Sequence, residues 1–430
     1  MTRRLAAMLA LLLVLAPTAF LVGGCWDLRE LDDWAFVSIM GLDKGAQPGW
    51  LRLSVLVQQP GSVSGTGGRV VPAFPRLTSE GATLYDAYRR LEELTGDYLT
   101  YSHTQVVVIG EELAKEGLQA LVDSFRRSRE LQHTIIMAVA DGVTAEEVLD
   151  SARGDIDPFP ATYLSHLVTK TQTEYGESSH SCIHCFLLAE AAHGQEIVLA
   201  LVKLAEKPAS SSPSSGGTGS GGGLAGGKSG GEQAGAGTGA PEPAAPVERR
   251  VEATGLALFR GLRLAVKITG EQAMALNLVG GHFDRGRVVV NGAATGGKDL
   301  SVELSHYERD VKLERNGPSI EVKLKVRLKG LAEGASAVGV DLTPQGIGAI
   351  KDLAGSKLSE MMSGIITLAQ TQVGGDVFDF QLHGRATFRT WPEWMAYDWD
   401  RAFREAKVSV EVEVMEIRPG QTTQTQEYGP

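Results

Sequence analysis

Cys25 is the residue whose surroundings predict a specific chemical modification. Arg3 and Arg4 precede an almost unbroken apolar run, Leu5–Leu21, which is the layout of a secretory signal. An apolar residue and two glycines then lead into the cysteine. In this arrangement, a lipobox, the cysteine thiol takes a diacylglycerol and the cysteine becomes the mature N-terminus. We therefore predict that Cys25 is lipidated and that residues 1–24 are removed as a lipoprotein signal peptide.

Two other interpretations of this stretch are a short transmembrane anchor and an ordinary secretory signal with an incidental cysteine. The apolar run contains 17 residues and includes Pro17, which is marginal for crossing a hydrocarbon core about 30 Å thick. No later segment of the sequence is long and apolar enough to span a bilayer. The lipid is therefore the predicted membrane contact, and two or three acyl chains would hold the protein firmly.

Cys182 and Cys185, with His180, His184 and His193 nearby, form a second cluster of residue types that could do chemistry. A structural zinc site needs four preorganised ligands, which usually come from two separate pairs. A thioredoxin-like redox pair would begin a helix directly after a strand, whereas a polar segment precedes this pair. In an extracytoplasmic protein a local disulfide or two free thiols is the simpler interpretation. We predict no functional metal here, and the sequence leaves the role of the cluster open.

A lone histidine and a basic cluster are the other candidate site residues. His103 could act as a ligand or a base, but its neighbours in the sequence include no carboxylate or metal ligand, which favours a structural role. Arg126, Arg127 and Arg129 fit a solvated helix end, where the helix dipole favours cations, better than an anion site.

Composition limits the remaining functions. The chain has 430 residues, which predicts two or three domains, and its net charge of -11 argues against nucleic-acid binding. Removing residues 1–24 would delete two arginines and no acid, and so make the net charge -13. No nucleophile elbow, phosphate loop or dinucleotide fingerprint lies between a predicted strand and a predicted helix, and the sequence contains no His-Glu-x-x-His motif. We therefore predict a protein that is not an enzyme and that has no cofactor.

The first part of the mature chain predicts a compact α/β unit. Trp34–Met40 and Leu51–Gln58 are β-rich runs around a turn and suggest a hairpin. A helix is expected from about Gly81 to Gly96, with Ser79 as its cap. Residues 105–109, 111–127 and 134–139 then read as strand, helix and strand, which predicts a right-handed parallel crossover. The next helix begins with a capping box, in which Thr144 and Glu147 are three residues apart.

A Gly/Ser-rich tract, residues 208–247, interrupts the middle of the chain. It has no aromatic residue and too little apolar surface to offset the entropy of ordering, so we predict that it is disordered. It could separate two domains or form one long loop. We prefer the loop, because Glu196–Leu204 and Val251–Phe259 on its two sides both read as strands and could pair in one sheet.

The last third of the chain predicts antiparallel strands and one long helix. Between Glu321 and Lys329, apolar residues alternate almost strictly with basic ones, so one face is buried and the other is a basic solvated ridge. Thr343 and Pro344 occupy the cap and first-turn positions of a helix that runs to about Gln372. Three tryptophans and two methionines near the end are expected in the core, namely Trp391, Trp394, Trp399, Met361 and Met362.

Several blocks of this sequence resemble the Ger(x)C family of spore-germination lipoproteins. The first block is Gly24–Leu31, which reads Gly-Cys-Trp-Asp-Leu-Arg-Glu-Leu, followed by Gly41–Lys44, which reads Gly-Leu-Asp-Lys. The second is His103 before an apolar strand, then Gly110–Gly117, which reads Gly-Glu-Glu-Leu-Ala-Lys-Glu-Gly. The third is the strand and return Gly255–Leu264.

The end of the chain carries the same resemblance. Asp376–Phe380 is similar to the family's Asp-hydrophobic-Phe pattern. Trp391-Pro392-Glu393-Trp394 then stands where the family has its Pro-x-x-Trp step, and a further tryptophan and a final strand follow. Asp379 stands where the family pattern has a glycine, so the geometry of that turn does not follow from the resemblance.

The resemblance implies the C subunit of a nutrient germinant receptor, a lipoprotein on the outer face of the membrane with two membrane-embedded partners, the A and B type subunits. It also implies three small α/β domains with mixed sheets (α+β). We place these at 25–152, 153–282 with the insertion 208–247, and 283–430. A solute-binding lipoprotein that feeds a transporter is the alternative, and it would require two large lobes around a cleft.

Overall fold

The computed structural model of the protein describes residues 3–11, 13, 30, 33–58, 74–152, 154, 157–206, 249–335 and 340–419. Cys25 and the predicted insertion 208–247 lie outside the described residues. Within the described part of the chain, no helix has the length and apolar character needed to cross a membrane.

The described residues contain thirteen strands. Their bounds are β1 Trp34–Lys44, β2 Leu51–Gln58, β3 Arg76–Gly81, β4 Tyr98–Thr100, β5 Val106–Ile109, β6 Ile136–Ala140, β7 Val198–Glu206, β8 Arg249–Arg260, β9 Arg263–Ile268, β10 Gly286–Val290, β11 Leu300–Asn316, β12 Ser319–Ala335 and β13 Lys407–Arg418.

Helices connect these strands and cover them. Their bounds are α1 3–11, α2 Leu84–Thr95, α3 Glu111–Glu116, α4 Gln119–Arg127, α5 Ala145–Ser151, α6 Pro160–Thr173, α7 Ile183–Ala191, α8 Gly270–Gly280, α9 Pro344–Leu368, α10 Phe380–Arg385, α11 Trp391–Met395 and α12 Trp399–Arg404. A 3-10 turn spans Ala293–Thr295, and a π-helical turn, Ala369–Val373, extends α9.

The first sheet is mixed, with the strand order β3-β2-β1-β5-β6-β7-β8-β9 and with β4 also paired to β1. The predicted hairpin is confirmed, because β1 and β2 pair antiparallel. The parallel pairing predicted for the crossover is confirmed as well, because β5 and β6 are parallel neighbours, and its right hand stays a prediction. Parallel pairing continues from β6 to β7, and the sheet ends in the antiparallel strands β8 and β9.

Both faces of the first sheet are buried. One face packs against α2, α3, α4 and α7, and the other packs against α5 and α6. Alternate residues of one strand therefore enter different cores: Val107 and Ile109 face the first set of helices, and Val106 and Val108 face the second. This explains why β5 is a continuous apolar run instead of an alternating one.

The strands on the two sides of the Gly/Ser-rich tract pair with each other, as expected for a loop. β7 and β8 are antiparallel, and their register runs from Val198 opposite Leu258 to Glu206 opposite Arg249. The undescribed residues 207–248 therefore connect the ends of two hydrogen-bonded strands. Because each doubling of a loop costs only about 0.6 kcal/mol, a hairpin tolerates so long a connection.

Two predictions about the first α/β unit are wrong in detail. Ser79 does not cap a helix, because it lies within β3. The N-cap of α2 is Thr83, and the Thr83 side chain accepts a hydrogen bond from the backbone N–H of Asp86. The single helix predicted for 111–127 is two helices, because Gly117 adopts φ 124° after α3. The backbone N–H of Leu118 donates to the carbonyl of Leu262 in place of a helical carbonyl.

The second sheet has the order β10-β11-β12-β13, in which β13 is parallel to β12 and the other pairs are antiparallel. Its apolar face packs against α8 and α9, and this core also includes residues of β8 and β9. Thr343 caps α9 with Pro344 in its first turn, as predicted. The mixed α+β fold class is confirmed. The predicted boundary after residue 152 falls between β6 and β7, neighbours in one sheet, and the domain limits stay predictions.

Candidate functional site

Two sequence blocks of the first α/β unit meet at a buried carboxylate. Asp43 lies near the end of β1, and its two carboxylate oxygens accept the backbone N–H groups of Ala145 at 2.8 Å and Glu146 at 3.1 Å. Burial raises the pKa of Asp43, although these two amides and nearby Arg52 oppose the shift. A methyl group on Gly110 would lie 1.9 Å from the Asp43 Oδ1 atom. The glycine and the aspartate of these blocks therefore build one helix-capping contact.

Glu111, the next residue, joins three separate elements. Its carboxylate accepts hydrogen bonds from the Nζ of Lys267 at 3.0 Å and from the backbone N–H of Gly142 at 2.6 Å, and it forms an ion pair with Lys115 at 2.8 Å. Burial acts to raise the pKa of Glu111, but these bonds together lower it to about 2. Lys267 also pairs with Asp141. These contacts hold β9 against α3 and the end of β6.

The cysteine pair begins helix α7. Cys182 is the N-cap residue, and its Sγ accepts the backbone N–H of Cys185 at 3.1 Å. The two sulfurs are joined in a disulfide, which is one of the interpretations that the sequence favoured. A loop precedes the pair, and its last residue, Cys182, forms an isolated antiparallel β-bridge with Ile136 of β6. No strand leads directly into the pair, as the sequence predicted. It nevertheless occupies a helix start, as a thioredoxin-like pair would.

His180 is the histidine that approaches this pair. One of its ring nitrogens and the two sulfurs lie within 4.8 Å of one another. His184 points elsewhere: its ring stacks on that of His133, with the centroids 6.3 Å apart. With both sulfurs in a disulfide there is no thiolate to bind zinc, and the absence of a functional metal stays a prediction.

A cavity of about 540 Å³ lies beside the cysteine pair, between the first sheet and the C-terminal helices. Its wall includes His180 and Cys185, but not Cys182, which is 4% exposed. Leu188, Leu382 and Trp391 line the same cavity and are all more than half exposed. The cavity is therefore largely apolar, with one residue of the disulfide in its wall.

Polar contacts join the two sides of this cavity. Asp379 accepts hydrogen bonds from the side-chain amide of Gln195 at 2.6 Å and lies 3.0 Å from the Nε2 atom of His282. Asp379 has a φ of 61°, in the left-handed region that favours glycine. The departure from the family's glycine is thus accommodated by an aspartate whose side chain is fixed on both sides.

A second group of charges lies next to this turn. Arg260 at the end of β8 donates to Glu196 at 2.7 Å, to Asp400 at 2.6 Å and to the carbonyl of Gly374 at 2.6 Å. Burial raises the pKa of Glu196, and Arg260 opposes this shift. The arginine therefore holds the first sheet to α12 and the end of the π-helical turn.

Asp376 is the most deeply buried acid of this region, with no exposed surface. Burial raises its pKa to about 7, even though its oxygens accept the backbone N–H groups of Phe378 at 2.9 Å and Gln381 at 2.7 Å. Its own carbonyl accepts the N–H of Glu196. Asp376 therefore fixes the turn before α10 and links that turn to the first sheet.

The candidate residues of the sequence are dispersed. His103 is exposed, its Nδ1 lies 3.1 Å from the hydroxyl of Ser102, and its ring packs on Phe36, which fits the structural role expected for it. Arg126 pairs with Glu190, and Arg127 pairs with Asp123. Arg129 lines a different cavity of about 830 Å³, whose wall contains the stacked rings of Tyr88 and Tyr101.

The predicted basic ridge on β12 is not a free cationic surface. Strands β11 and β13 place acidic side chains beside it: Lys325 pairs with Glu411 at 2.7 Å, and Arg327 pairs with Glu308 at 3.1 Å. These ion pairs make the ridge an ordinary, mixed-charge outer face of the sheet.

The aromatic residues near the C-terminus form a core with one exception. Trp394 and Trp399 are buried, and their ring centroids are 5.5 Å apart. Trp391 is 56% exposed, so its expected place in the core is wrong. It begins a short helix with its ring next to Arg385, on the wall of the cavity. Met362 is buried, as expected of a residue that fills the core.

The sequence did not single out Glu111, Asp376 or Arg260 as structural charges. All three lie inside the blocks that carry the family resemblance, and that was the available signal. Their partners are distant in the sequence: Glu111 meets Lys267, and Arg260 meets Asp400. No local spacing could have indicated these pairs.

Comparisons with known proteins agree with these observations. A domain described as "Spore germination protein N-terminal domain" matches residues 27–204, and one described as "Spore germination B3/ GerAC like, C-terminal" matches residues 254–420. Each block discussed above lies wholly or mostly inside one of these two ranges.

Two curated proteins of Bacillus subtilis (strain 168) are similar to this chain. Spore germination protein KC is 31% identical over 174 residues, which is 39% of this chain and 42% of that protein. Putative spore germination protein YfkR is 28% identical over 150 residues, or 34% of this chain and 38% of that protein. The aligned part thus spans about two fifths of the length of each relative.

Among solved structures, one described as the crystal structure of the GerBC protein is 13% identical, with a TM-score of 0.47, and the match covers 88% of this chain and 96% of that one. The family is decided by the two matched domains, which together account for most of the sequence. The chain belongs to the Ger(x)C, or GerAC-like, family of spore germination proteins.

Proposed function

We propose that this protein is the membrane-anchored lipoprotein subunit of a spore nutrient germinant receptor and acts there as a scaffold with no chemistry of its own. The observation that carries the proposal is the family match at both ends of the chain, residues 27–204 and 254–420, directly after a lipobox. A role in spore germination follows from the family. The receptor subunit and the lipid anchor are the finer parts of the proposal.

The proposed anchor is a diacylglycerol on Cys25, after removal of residues 1–24. It would hold the protein on the outer face of the cell membrane, which is the inner membrane of the spore. The mature chain would then consist of domains at 25–152, 153–282 and 283–430, with residues 208–247 as a disordered insertion in the second. Mass analysis of the mature N-terminus tests the anchor, and an unmodified Cys25 would contradict it.

The proposed partners are the two membrane-embedded receptor subunits of A and B type. A scaffold role is supported by the use that the structure makes of the family blocks: Asp43, Gly110, Glu111 and Asp376 all fix backbone segments or join elements. The contacts described for these residues are all within the protein itself. The protein would contribute surface to the assembly, with no metal, cofactor or nucleic acid.

The deciding experiment is genetic. Deleting the gene, or replacing Cys25 with Ala, in a strain without redundant homologues should impair germination by nutrients and leave intact germination by agents that bypass nutrient receptors. Affinity capture from spore membranes should recover the two membrane-embedded subunits. Normal nutrient germination with a defect in uptake of one solute would instead support a solute-binding lipoprotein.

A further inference from the structure

The disulfide at the start of α7 has features that a purely structural crosslink does not need. The two cysteines are three residues apart, so the bond closes a very short loop and constrains the unfolded chain little. It also lies at the N-terminus of a nine-residue helix, where backbone N–H groups stabilise negative charge. A sulfur that leaves as a thiolate at this position is therefore favoured.

The two sulfurs differ in their surroundings. Cys182 is buried, and its Sγ already accepts the N–H of Cys185. Cys185 is half-buried and lies in the wall of the 540 Å³ cavity, together with the exposed His180. Cys185, which borders the cavity and is the less buried of the two, is therefore the better target for an attacking group, and the buried sulfur of Cys182 is placed to receive the negative charge.

We propose that Cys182 and Cys185 form a redox-active pair that exchanges electrons with an external dithiol. The proposal rests on three independent features: the disulfide itself, the N-cap position of its buried sulfur, and the cavity whose wall includes Cys185. This role would replace one part of the proposed function, the absence of chemistry, and it leaves the receptor-subunit and lipid-anchor parts unaffected, so the two proposals are tested separately.

The exchange begins when a thiolate of the dithiol attacks the Sγ of Cys185. A bond forms between that sulfur and the reductant, the bond between the two protein sulfurs breaks, and Cys182 leaves as a thiolate. The second thiolate of the dithiol then attacks the reductant's own bonded sulfur, which closes its disulfide and releases Cys185. The two protons of the dithiol pass to the two protein thiolates, and two electrons pass to the protein. The reverse sequence oxidises the pair.

His180 is placed to move the proton at Cys185. Its ring nitrogen lies within 4.8 Å of both sulfurs and faces the same cavity. Leu188, Leu382 and Trp391 give the cavity an apolar side, and the charged residues Glu196, Asp379 and Arg385 also line it. A dithiol is the common chemistry of two sources, a small molecule and a redox protein with a Cys-x-x-Cys pair.

The first test measures reduction of the folded protein, with Cys25 replaced by Ser so that the other two cysteines alone report. We expect millimolar dithiothreitol to reduce the pair while the near-ultraviolet circular dichroism stays native, and oxidised dithiothreitol to restore it. A disulfide that is reduced only when the protein unfolds would overturn the proposal.

The second test compares the single variants Cys182→Ser and Cys185→Ser in the same background. Serine is a good N-cap residue, so Cys182→Ser should keep the helix start. The remaining Cys185 should react with an aromatic disulfide reagent at least about tenfold faster than the remaining Cys182 does in the other variant. Equal or reversed rates would contradict the assigned direction of attack.

The third test uses His180→Ala, with His184→Ala as the matched control, because His184 stacks on His133 and does not approach the sulfurs. The first variant should slow the reaction of Cys185 near pH 7 and lose the effect at high pH, and the control should not.

Reduced thioredoxin and dithiothreitol are then compared at equal dithiol concentration. Faster reduction by thioredoxin assigns a protein dithiol, and faster reduction by dithiothreitol assigns a small one. Failure of both reductants on the folded protein refutes the site.

Discussion

The two sheets of this protein reach stability by different means. In the first sheet, helices cover both faces, and strands such as β5 are apolar at every position. In the second sheet one face is open, and β11 alternates first between buried and half-buried residues and then between half-buried and exposed ones. Charged residues accordingly have different roles in the two sheets. Asp43 and Glu111 are buried and connect separate elements, whereas Arg327 forms an ion pair on the exposed face.

The difference shows where single substitutions matter. A buried carboxylate that satisfies backbone amides leaves those amides unpaired when it is lost, which costs about 1–3 kcal/mol for each buried group. An exposed ion pair contributes less than about 1 kcal/mol, because water and salt screen it. Substitutions at the buried carboxylates of the first sheet should therefore lower the free energy of unfolding more than substitutions at exposed ion pairs.

The largest effect is expected for Gly110→Ala. Its methyl group would lie 1.9 Å from the Asp43 Oδ1 atom, so either the carboxylate or the strand end must move. We expect the free energy of unfolding to fall by about 3 kcal/mol, from steric strain and from loss of the cap on α5. Urea denaturation at constant pH measures the loss.

The control for this prediction is the double variant Asp43→Ala/Gly110→Ala. Without the carboxylate there is no clash, so the double variant should lose clearly less stability than the sum of the two single losses. Additive losses would mean that the contact between these two residues does not cause the effect.

The next effect is a pair of opposite pH dependences. The pKa of Glu111 is lowered from 4.5 to about 2 in the folded state, so its contribution is present above pH 4.5 and is lost as the pH falls toward 2. The pKa of Asp376 is raised from 3.8 to about 7, so its contribution is present below about pH 4 and is lost as the pH rises toward 7. Each shift corresponds to a few kcal/mol at most.

Unfolding curves over a pH series separate these two groups. Relative to the unsubstituted protein, Glu111→Gln should flatten the acid side below pH 4.5, and Asp376→Asn should flatten the range between pH 4 and pH 7. Overall stability can change in either variant for other reasons, so the slope is the measurement that decides. A slope in both windows that neither variant alters would contradict the assignment.

A smaller effect is expected when residues 208–247 are replaced by a five-residue turn. Because β7 and β8 pair up to Glu206 and Arg249, the shorter connection should close the same hairpin. The gain from loop entropy is at most about 2 kcal/mol, and the melting temperature should stay within a few degrees of the original or rise. Limited proteolysis of the original chain should cut in this tract first. Strong amide protection there, or loss of folding in the short variant, would contradict the prediction.

The smallest effect is expected for Arg327→Gln on the open face of the second sheet. The guanidinium pairs with Glu308 at 3.1 Å, and both side chains are largely exposed. The loss should be less than about 1 kcal/mol and should disappear at high salt. Glu308→Gln is the matched control and should behave in the same way. A loss as large as that of Gly110→Ala would erase the distinction between the two sheets.

Much of the fold could be predicted because its signals are local. The hairpin of β1 and β2, the crossover from β5 to β6 and the cap of α9 each follow from residues within one short segment. The break after α3 could not be predicted, since it depends on a hydrogen bond from Leu118 to the distant residue Leu262. The same holds for Trp391, whose hydrophobic type indicated a core position that the packing of α10 and α11 does not provide.

The sequence by itself was enough to predict the lipid anchor, to indicate the family, and to predict the alternation of apolar and polar residues in the second sheet. Each of these depends on the order of neighbouring residues. Only the tertiary structure decided what Asp43, Glu111 and Asp376 do, because their partners come from other segments and from burial. It also placed the cysteine pair at the start of a helix, with Cys185 in the wall of a cavity. Spacing indicates which groups can react, but burial and access depend on elements that the chain brings together from far apart.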